Sequence, residues 1–334
     1  MNATDDRAHA GREGGGAARG RTATAPTDIP ARGWKDIAWR VFKEISADRV
    51  MLTAAGVTFY LLLALGPLLA ALVSLYGLFL DPADIATQAE ALAGVLPGGA
   101  VDILTGQLER LTSADQGTLG FAFVVSLALA LWSANAGMKA MFEAMNIAYD
   151  EREDRGFVRL TLTTLALTVS LIAGVIALGA FNAVFTAFEQ SFGVSMPDWI
   201  ANLVTAGIAL VGLVLFMACL YRFGPSRESP QWQWITPGAI LAVVVIVLVS
   251  VAFSFYVSNF GSYNETYGSL GALVGFLTWL WLAVTVLVMG AELNSEMEHQ
   301  TRHDTTTGPR EPMGERGATV ADELGREYGK TREA

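Results

Sequence analysis

The stretch YNETYGSLGALVGFLTWLWLAVTVLVMGAELNSEME, residues 263–298, decides the fold. Its part from Leu270 to Ala291 contains no charged residue. About 22 helical residues are about 33 Å long at 1.5 Å per residue, enough to cross a hydrocarbon core about 30 Å thick. Three glycines near its start predict that a neighbouring helix approaches closely: Gly268, Gly271 and Gly275. We therefore predict a membrane-spanning helix packed on a neighbour, and its polar ends leave open a second role in lining a solute path.

The composition of the whole chain is that of an integral membrane protein. Of its 334 residues, 52% are hydrophobic and 16% are charged, and long apolar runs recur along the sequence. The single cysteine, Cys219, lies inside such a run, whereas His9, His299 and His303 all lie outside them. The sequence also lacks a phosphate-binding loop and a basic groove for nucleic acid. We therefore expect no enzyme activity, no catalytic residue, no metal, no cofactor and no nucleic-acid partner.

Six apolar runs have the length of a membrane span. They cover about 52–80, 119–149, 158–188, 200–221, 235–257 and 270–291. Before the first run, the apolar residues Trp34, Ile37, Val41 and Ile45 recur at helical spacing, which predicts an N-terminal amphipathic helix. Residues 81–118 are predicted to form a short helical external cap. The predicted fold is thus an all-α integral membrane protein with six transmembrane helices.

The domain organisation and the orientation follow from the same patterns. Residues 31–298 are predicted to be the six-helix transmembrane domain. Residues 1–30 and 299–334 have no apolar period, so we expect a disordered N-terminal tail and a disordered cytoplasmic C-terminal tail. Of the 22 Lys and Arg residues, nine precede the first run and six follow the last, whereas the 81–118 connection holds Arg110 alone. The positive-inside rule then places both termini in the cytoplasm and the cap outside.

Four separated blocks carry a resemblance to a known family. They are AAGVTFYLLLALGPLLAALVSLYG (54–77), ALWSANAGMKAMFEAMNIAYDERE (130–153), WQWITPGAILA (232–242) and the opening stretch. In this order they resemble the YihY/BrkB family over about residues 33–298. The resemblance implies a six-helix protein of the bacterial inner (plasma) membrane. Members carry the labels ribonuclease BN, serum-resistance virulence factor and transporter; we do not expect ribonuclease activity, because metal-dependent RNA hydrolysis needs clustered ligands that this chain lacks.

Polar residues in or beside the apolar runs are the candidate functional residues, because such groups are costly in lipid. Structural alternatives remain open. Asn135 has the alternative of an interhelical hydrogen bond, and Glu143 and Glu292 have the alternative of a position at the membrane boundary. For the polar cluster 262–267 at the outer mouth of the last run, the alternatives are helix capping and interface anchoring. The candidates to test first are Asn135, Glu143, Glu265 and Glu292, followed by Thr58 and Tyr60.

Two classes of function agree with these patterns. The leading hypothesis is a permease-like protein that moves a small solute, an ion or a lipid between its helices. The alternative is a scaffold for envelope assembly that does not transport, with an envelope protein partner docked on the 81–118 cap. Membrane lipids are the expected partners in both cases, and the small-residue faces are also compatible with a homo-oligomer.

Overall fold

The computed structural model describes residues 16–79, 116–192, 197–260 and 269–329, and these residues are mostly α-helical. A 3-10 turn at Pro26–Asp28 precedes helix α1. The α-helices, in chain order, are α1 (Ala31–Ala47), α2 (Val50–Phe79), α3 (Gln116–Ala148), α4 (Phe157–Phe192), α5 (Asp198–Phe223), α6 (Trp232–Phe260), α7 (Ser269–Glu298) and the short α8 (Thr319–Asp322).

Several of these helices are long and apolar enough to cross a membrane. Four segments meet that condition within the described residues: Phe157–Leu178, Trp199–Phe223, Trp232–Tyr256 and Leu273–Glu298. A fifth is added if Ala31–Ala47 and Val50–Ala64, which meet at a bend of 59°, are counted as one broken span. Large apolar side chains are exposed on the outer faces, among them Leu215 and Val251. A helical, multi-pass membrane protein is thereby confirmed, and the predicted number of six spans is larger than the four or five found.

Helix α7 is the central element of the bundle. It packs against α6, α2, α1 and α3, while α2 and α3 form the most extensive helix pair. The largest apolar cluster lies where the ends of these helices meet, and it includes Phe142, Tyr149, Tyr221, Ile235 and Val288. The opening stretch of the sequence is thus the helix around which its neighbours are arranged.

The close approach of α7 to a neighbour lies near its end and not at its start. A Cβ added to Gly290 would lie 2.9 Å from the Gly238 carbonyl oxygen of α6 and 2.5 Å from the Tyr221 hydroxyl oxygen of α5. Around Gly275, no atom of the described residues lies within 4 Å of an added Cβ. The predicted close approach is therefore not found at Gly275 among the described residues; Gly268 lies outside them.

Parts of the two segments predicted to be disordered tails are described, and they make contacts with each other and with the bundle. Arg21 donates to the His299 carbonyl oxygen at 3.1 Å and to the Gly325 carbonyl oxygen at 2.5 Å. Gln300 and Val320 are both 0% exposed. The physical reason is that polar backbone and side-chain hydrogen bonds hold these segments together, and such bonds leave no apolar period in the sequence.

Helix α1 forms where the sequence predicts it, but its burial is not that of a simple amphipathic helix. Ile37 of the predicted apolar face is fully buried, whereas Phe42 on the same face is 75% exposed. The polar residues Asp36 and Arg40 are buried because they bind the tail segments: Asp36 accepts from Arg19 at 2.8 Å and Arg40 donates to the Arg326 carbonyl oxygen at 2.9 Å. The predicted external cap lies almost entirely within 80–115, outside the described residues.

Candidate functional site

The structure separates the candidate residues into a buried group and an exposed group. Asn135, Thr58 and Glu292 are 5%, 5% and 1% exposed, respectively. Tyr60 is 47% exposed and Glu143 is also exposed. Glu265 lies outside the described residues. The five candidates that the structure describes therefore do not line one common cavity among the described residues.

Glu292 is the candidate whose position differs most from the prediction. We expected it to reach water or lipid headgroups at the membrane boundary, yet it is 1% exposed. The carboxyl group of Asp48, the residue that caps the end of α1, is its nearest electrostatic neighbour. Neighbouring buried carboxyl groups disfavour two ionised charges at the same time. Glu292 and Asp48 therefore form a buried acidic pair at the end of α7.

One oxygen of Glu292 has no partner. Its Oε1 is buried and makes no hydrogen bond within the described residues. Leaving a buried polar atom unsatisfied costs about 1–3 kcal/mol. A buried ionisable group in a membrane helix is a candidate functional residue for this reason.

Two more acids interact electrostatically with this pair, and we call the four residues Glu44, Asp48, Glu292 and Glu296 the carboxyl cluster. Glu44 and Asp48 lie at the C-terminal end of α1, and Glu292 and Glu296 lie in the last turns of α7. The C-terminal end of a helix carries partial negative charge and disfavours acids. The backbone therefore opposes this concentration of carboxyl groups, and other contacts must hold it in place.

Arg40 supplies part of the opposing charge at Glu296, and the His299 ring lies beside the same acid. Arg40 binds the Glu296 side chain through Nε, and its Nη2 donates to the Glu296 carbonyl oxygen at 2.8 Å. His299 Nδ1 lies 3.8 Å from Glu296 Oε2. Both contacts are made to Glu296, which leaves Glu292 to Asp48 alone.

Backbone contacts from a side chain fix the end of α7 against α6. Asn294 Oδ1 accepts from the Gly238 N–H at 2.9 Å, and its Nδ2 donates to the Ile235 carbonyl oxygen at 3.0 Å. Pro237 lies between these two residues inside α6 and has no N–H of its own. Asn294 thus bonds to backbone groups of α6 on both sides of Pro237. These two bonds fix the last turns of α7, which carry Glu292 and Glu296, against α6.

Two tryptophans tie the middle of α7 to its neighbours. Trp279 donates from Nε1 to the Ser250 hydroxyl of α6 at 3.0 Å. Trp281 donates to the Met51 carbonyl oxygen of α2 at 2.9 Å. Helix α7 is therefore linked to α6 and α2 by polar contacts as well as by packing.

Tyr60 and Glu143 do share a surface groove. The groove has a volume of about 490 Å³ and lies between α2 and α3, where it is also lined by Thr53, Ala136 and Lys139. Lys139 itself is engaged elsewhere: its Nζ donates to Thr161 Oγ1 at 3.0 Å and lies 4.9 Å from the centre of the Phe157 ring. The groove is mostly apolar, and Glu143 forms no ion pair with Lys139 there.

The two remaining candidates, Thr58 and Asn135, differ in whether their side-chain polar atoms have a hydrogen-bond partner. Thr58 donates its hydroxyl to the Ala54 carbonyl oxygen at 2.8 Å, one turn earlier in the same helix. Asn135 is buried with its Oδ1 unpartnered in the described part of the chain, so its predicted interhelical bond through that atom is not found. Asn135 therefore remains a candidate, and Thr58 is satisfied by its own helix.

A buried ion pair lies beyond the carboxyl cluster, where the tail meets the bundle. Arg227 and Glu298 are 2.7 Å apart and both side chains are 0% exposed. Glu298 also accepts from the Thr305 hydroxyl at 2.6 Å, and the Arg227 guanidinium lies 4.9 Å from the centre of the Tyr149 ring. These contacts connect the α5–α6 loop, the end of α3 and the tail.

Two acids of the α3–α4 loop, outside the membrane segments, have pKa values shifted in opposite directions. Burial alone would raise the pKa of Glu153, but hydrogen bonds from Arg155 and Asn146 outweigh burial and hold the pKa below its usual value. Burial raises the pKa of Glu151, and the Thr319 N–H that Glu151 accepts offsets only part of that rise. Glu153 is thus a charged anchor for the α3–α4 loop.

Sequence reasoning missed several residues of this region. Asp48, Arg40 and Arg227 are not among the candidates, because their partners lie far away in the sequence. One local signal was present: Glu292 and Glu296 are four residues apart and so lie on one face of α7. Within the described residues, no group of three or more His, Cys, Asp or Glu side chains is placed to hold a metal ion.

One known protein family matches most of the chain. The family described as virulence factor BrkB matches residues 41–314. The ribonuclease-like protein YfkH of Bacillus subtilis (strain 168) is 29% identical over 249 residues, which cover 72% of this chain and 88% of that protein. No solved structure matches the chain.

Two membrane proteins are among the similar sequences. A UPF0761 membrane protein of Xanthomonas campestris pv. campestris (strain 8004) is 27% identical over 262 residues, covering 78% of this chain and 59% of that protein. A UPF0761 membrane protein of Neisseria meningitidis serogroup C (strain 053442) is 27% identical over 272 residues, covering 78% and 63%. The chain thus spans about three fifths of the length of these two relatives.

Proposed function

The chain belongs to the virulence factor BrkB family, and from this premise we propose that it is a permease-like protein that moves a small solute, an ion or a lipid between its helices. The observation that carries the proposal is the buried carboxyl group of Glu292, with its unpartnered Oε1, and its electrostatic neighbour Asp48. Ionisable groups buried in membrane helices mark ion and proton paths in transport proteins. We assign this pair the role of exchanging a proton as solute passes.

The proposal includes six spans in the bacterial inner membrane with both termini in the cytoplasm. The length of α2 and α3, which have 30 and 33 residues, supports two spans beyond the four apolar segments. The excess of Lys and Arg in the terminal segments supports the orientation. The carboxyl cluster then lies at the cytoplasmic end of α7, where a proton can be exchanged with the cytosol.

Transport is tested with the purified chain in liposomes that contain a pH-sensitive dye. The probes are K⁺, Na⁺, Mg²⁺, alanine, glucose and a fluorescent phosphatidylethanolamine, each supplied with and without a pH gradient. We expect movement of one probe together with protons, and we expect Glu292→Gln to abolish the proton movement because an amide cannot exchange a proton. Glu315→Gln is the matched control, since Glu315 is an exposed acid outside the cluster.

Two results would contradict the proposal. One is that no probe moves in the presence of the protein. The other is that a probe moves at the same rate, with the same proton movement, in Glu292→Gln and in the unaltered chain. The first result would favour the alternative function, a scaffold whose docking surface includes the 81–118 cap outside the described residues.

A further inference from the structure

A second polar site lies away from the carboxyl cluster, in a cleft between the ends of α4 and α5. The cleft has a volume of about 350 Å³, which is within the range of about 300–1,000 Å³ typical of small-molecule sites. Its lining includes Asp154, Arg159, Arg222, Arg227 and Glu228. Helix α4 begins at Phe157 and α5 ends at Phe223, and both belong to apolar segments that can span the membrane. The cleft therefore lies at the depth of the lipid headgroups.

The charged side chains that line this cleft are not all paired with each other. Arg227 is bound to Glu298, although its buried Nη1 has no acceptor. Arg159 and Arg222 form no ion pair with any carboxylate of the described residues, and neither do Asp154 and Glu228. The Arg222 guanidinium lies 4.8 Å from the centre of the Trp232 ring and donates to the Pro230 carbonyl oxygen, so it is held in position. The cleft thus offers two cations and two anions that remain available to a ligand.

An apolar groove adjoins the cleft. The groove has a volume of about 550 Å³ and shares Arg159 and Thr163 with it. Its other lining residues include Phe157, Val158 and Leu162, which are between 62% and 71% exposed. A ligand that fills both spaces must have a charged end with both signs and an apolar chain.

We propose that this cleft and groove bind a zwitterionic aminophospholipid, with the headgroup in the cleft and an acyl chain along Phe157, Val158 and Leu162. Guanidinium groups suit the phosphate, and carboxylates suit the ammonium group. An anionic headgroup without an ammonium group would leave Asp154 and Glu228 facing its negative charge. This site does not depend on the transport proposal, because it is defined by binding alone.

Binding is measured by native mass spectrometry of the full chain in detergent, titrated with phosphatidylethanolamine, phosphatidylglycerol or soluble glycerophosphoethanolamine. We expect phosphatidylethanolamine to bind most tightly. Arg159→Gln should weaken that binding about fivefold, which is the effect of about one cationic side chain near a lipid surface. Asp154→Asn should weaken the binding of phosphatidylethanolamine without weakening that of phosphatidylglycerol. Arg310→Gln is the control, because Arg310 is an exposed arginine that does not line the cleft.

Three outcomes would overturn the assignment. Phosphatidylglycerol binding as tightly as phosphatidylethanolamine would remove the role of the carboxylates. If Arg159→Gln weakened phosphatidylethanolamine binding no more than Arg310→Gln does, the cleft would not be the binding site. The soluble headgroup binding as tightly as the lipid would remove the role of the groove. Arg159 is exposed, so its substitution leaves the core intact, and an unchanged unfolding midpoint of the variant checks this.

Discussion

Arg227 and Glu298 show, at the scale of single residues, how charge is kept inside this protein. Their side chains are 0% exposed and lie 2.7 Å apart, with Thr305 and the Tyr149 ring around them. Desolvation makes such a pair a weak source of net stability, but removal of one partner leaves the other charge buried and unpaired. Each residue of the pair is therefore required mainly because the other is present.

We predict that Glu298→Gln lowers the free energy of unfolding by about 3 kcal/mol, because Arg227 is left without a counter-charge. The measurement is unfolding of the purified protein in mixed micelles, followed by tryptophan fluorescence. Glu315→Gln, at an exposed acid, should change the free energy of unfolding by less than about 0.5 kcal/mol. Replacing both partners, Arg227→Met with Glu298→Met, should cost less than Glu298→Gln alone, and a larger loss in the double variant would contradict this explanation.

Sequence reasoning works unevenly at the level of residues. Glu292 was identified because an acid near an apolar run stands out locally. Asp48 was not, because its importance comes from a contact with a residue far along the chain. Asn294 was noted for its position at the end of α7, while its two backbone contacts in α6 depend on the tertiary fold.

Helices α6 and α7 cross at two glycines, and this crossing sets how closely the elements approach. Gly238 and Gly290 face each other, and Asn294 and Tyr221 bind backbone atoms beside them. Tyr221 donates its hydroxyl to the Leu287 carbonyl oxygen at 2.8 Å, so α5 joins the same contact. Lipid supplies no hydrophobic force between helices, so this kind of close packing and polar contact must hold them together.

We predict that Gly290→Ala destabilises the protein by about 1–3 kcal/mol, the usual cost of overpacking a well-packed contact. The added methyl group would lie 2.5 Å from the Tyr221 hydroxyl oxygen and 2.9 Å from the Gly238 carbonyl oxygen. The same unfolding measurement in micelles reports the change.

Gly275→Ala is the matched control on the same helix. No atom of the described residues lies within 4 Å of the added methyl group, so this substitution should be neutral or should stabilise α7 by up to about 1 kcal/mol. Equal losses of stability in the two variants would show that helical glycine itself, and not the crossing, is required.

The helices as elements were largely predictable. An uninterrupted apolar run fixes a helix of membrane length whatever its neighbours are, because every backbone polar group in lipid must be bonded within the segment. The contact faces were not predictable in the same way. The glycines near the start of α7 have the spacing of a contact face, yet the contact is at Gly290, where an apolar run meets polar residues.

At the scale of the whole molecule, the segments before α1 and after α7 join into one layer across the end of the bundle. The Arg302 N–H donates to the Arg21 carbonyl oxygen at 2.9 Å, and the Thr307 N–H donates to the Ser229 carbonyl oxygen at 2.9 Å. A single bridge between Pro230 and Thr306 connects this layer to the α5–α6 loop. These contacts are polar, so they leave no apolar period in the sequence from which they could be predicted.

We predict that the amide hydrogens of Arg302, Thr307 and Gly325 exchange slowly with solvent deuterium, because each donates a backbone hydrogen bond of 2.9 Å. Hydrogen exchange followed by mass spectrometry of the protein in micelles measures this. Peptides that cover Gly308 and Arg310, which donate no backbone bond among the described residues, serve as the internal comparison. Exchange of all these amides at the rate of an unstructured peptide would contradict the structure of this layer.

The bonds from Arg21 to His299 and Gly325 also have a consequence for biosynthesis. The two ends of this contact are separated by 304 residues, so the ribosome has made every helix before the acceptor at Gly325 exists. Closing so long a loop is slow compared with local helix formation, and the contact is therefore a late event in the life of the nascent protein. A chain that ends before Gly325 keeps the His299 acceptor of Arg21 and lacks the second one, so the layer across the end of the bundle is completed only with the last residues.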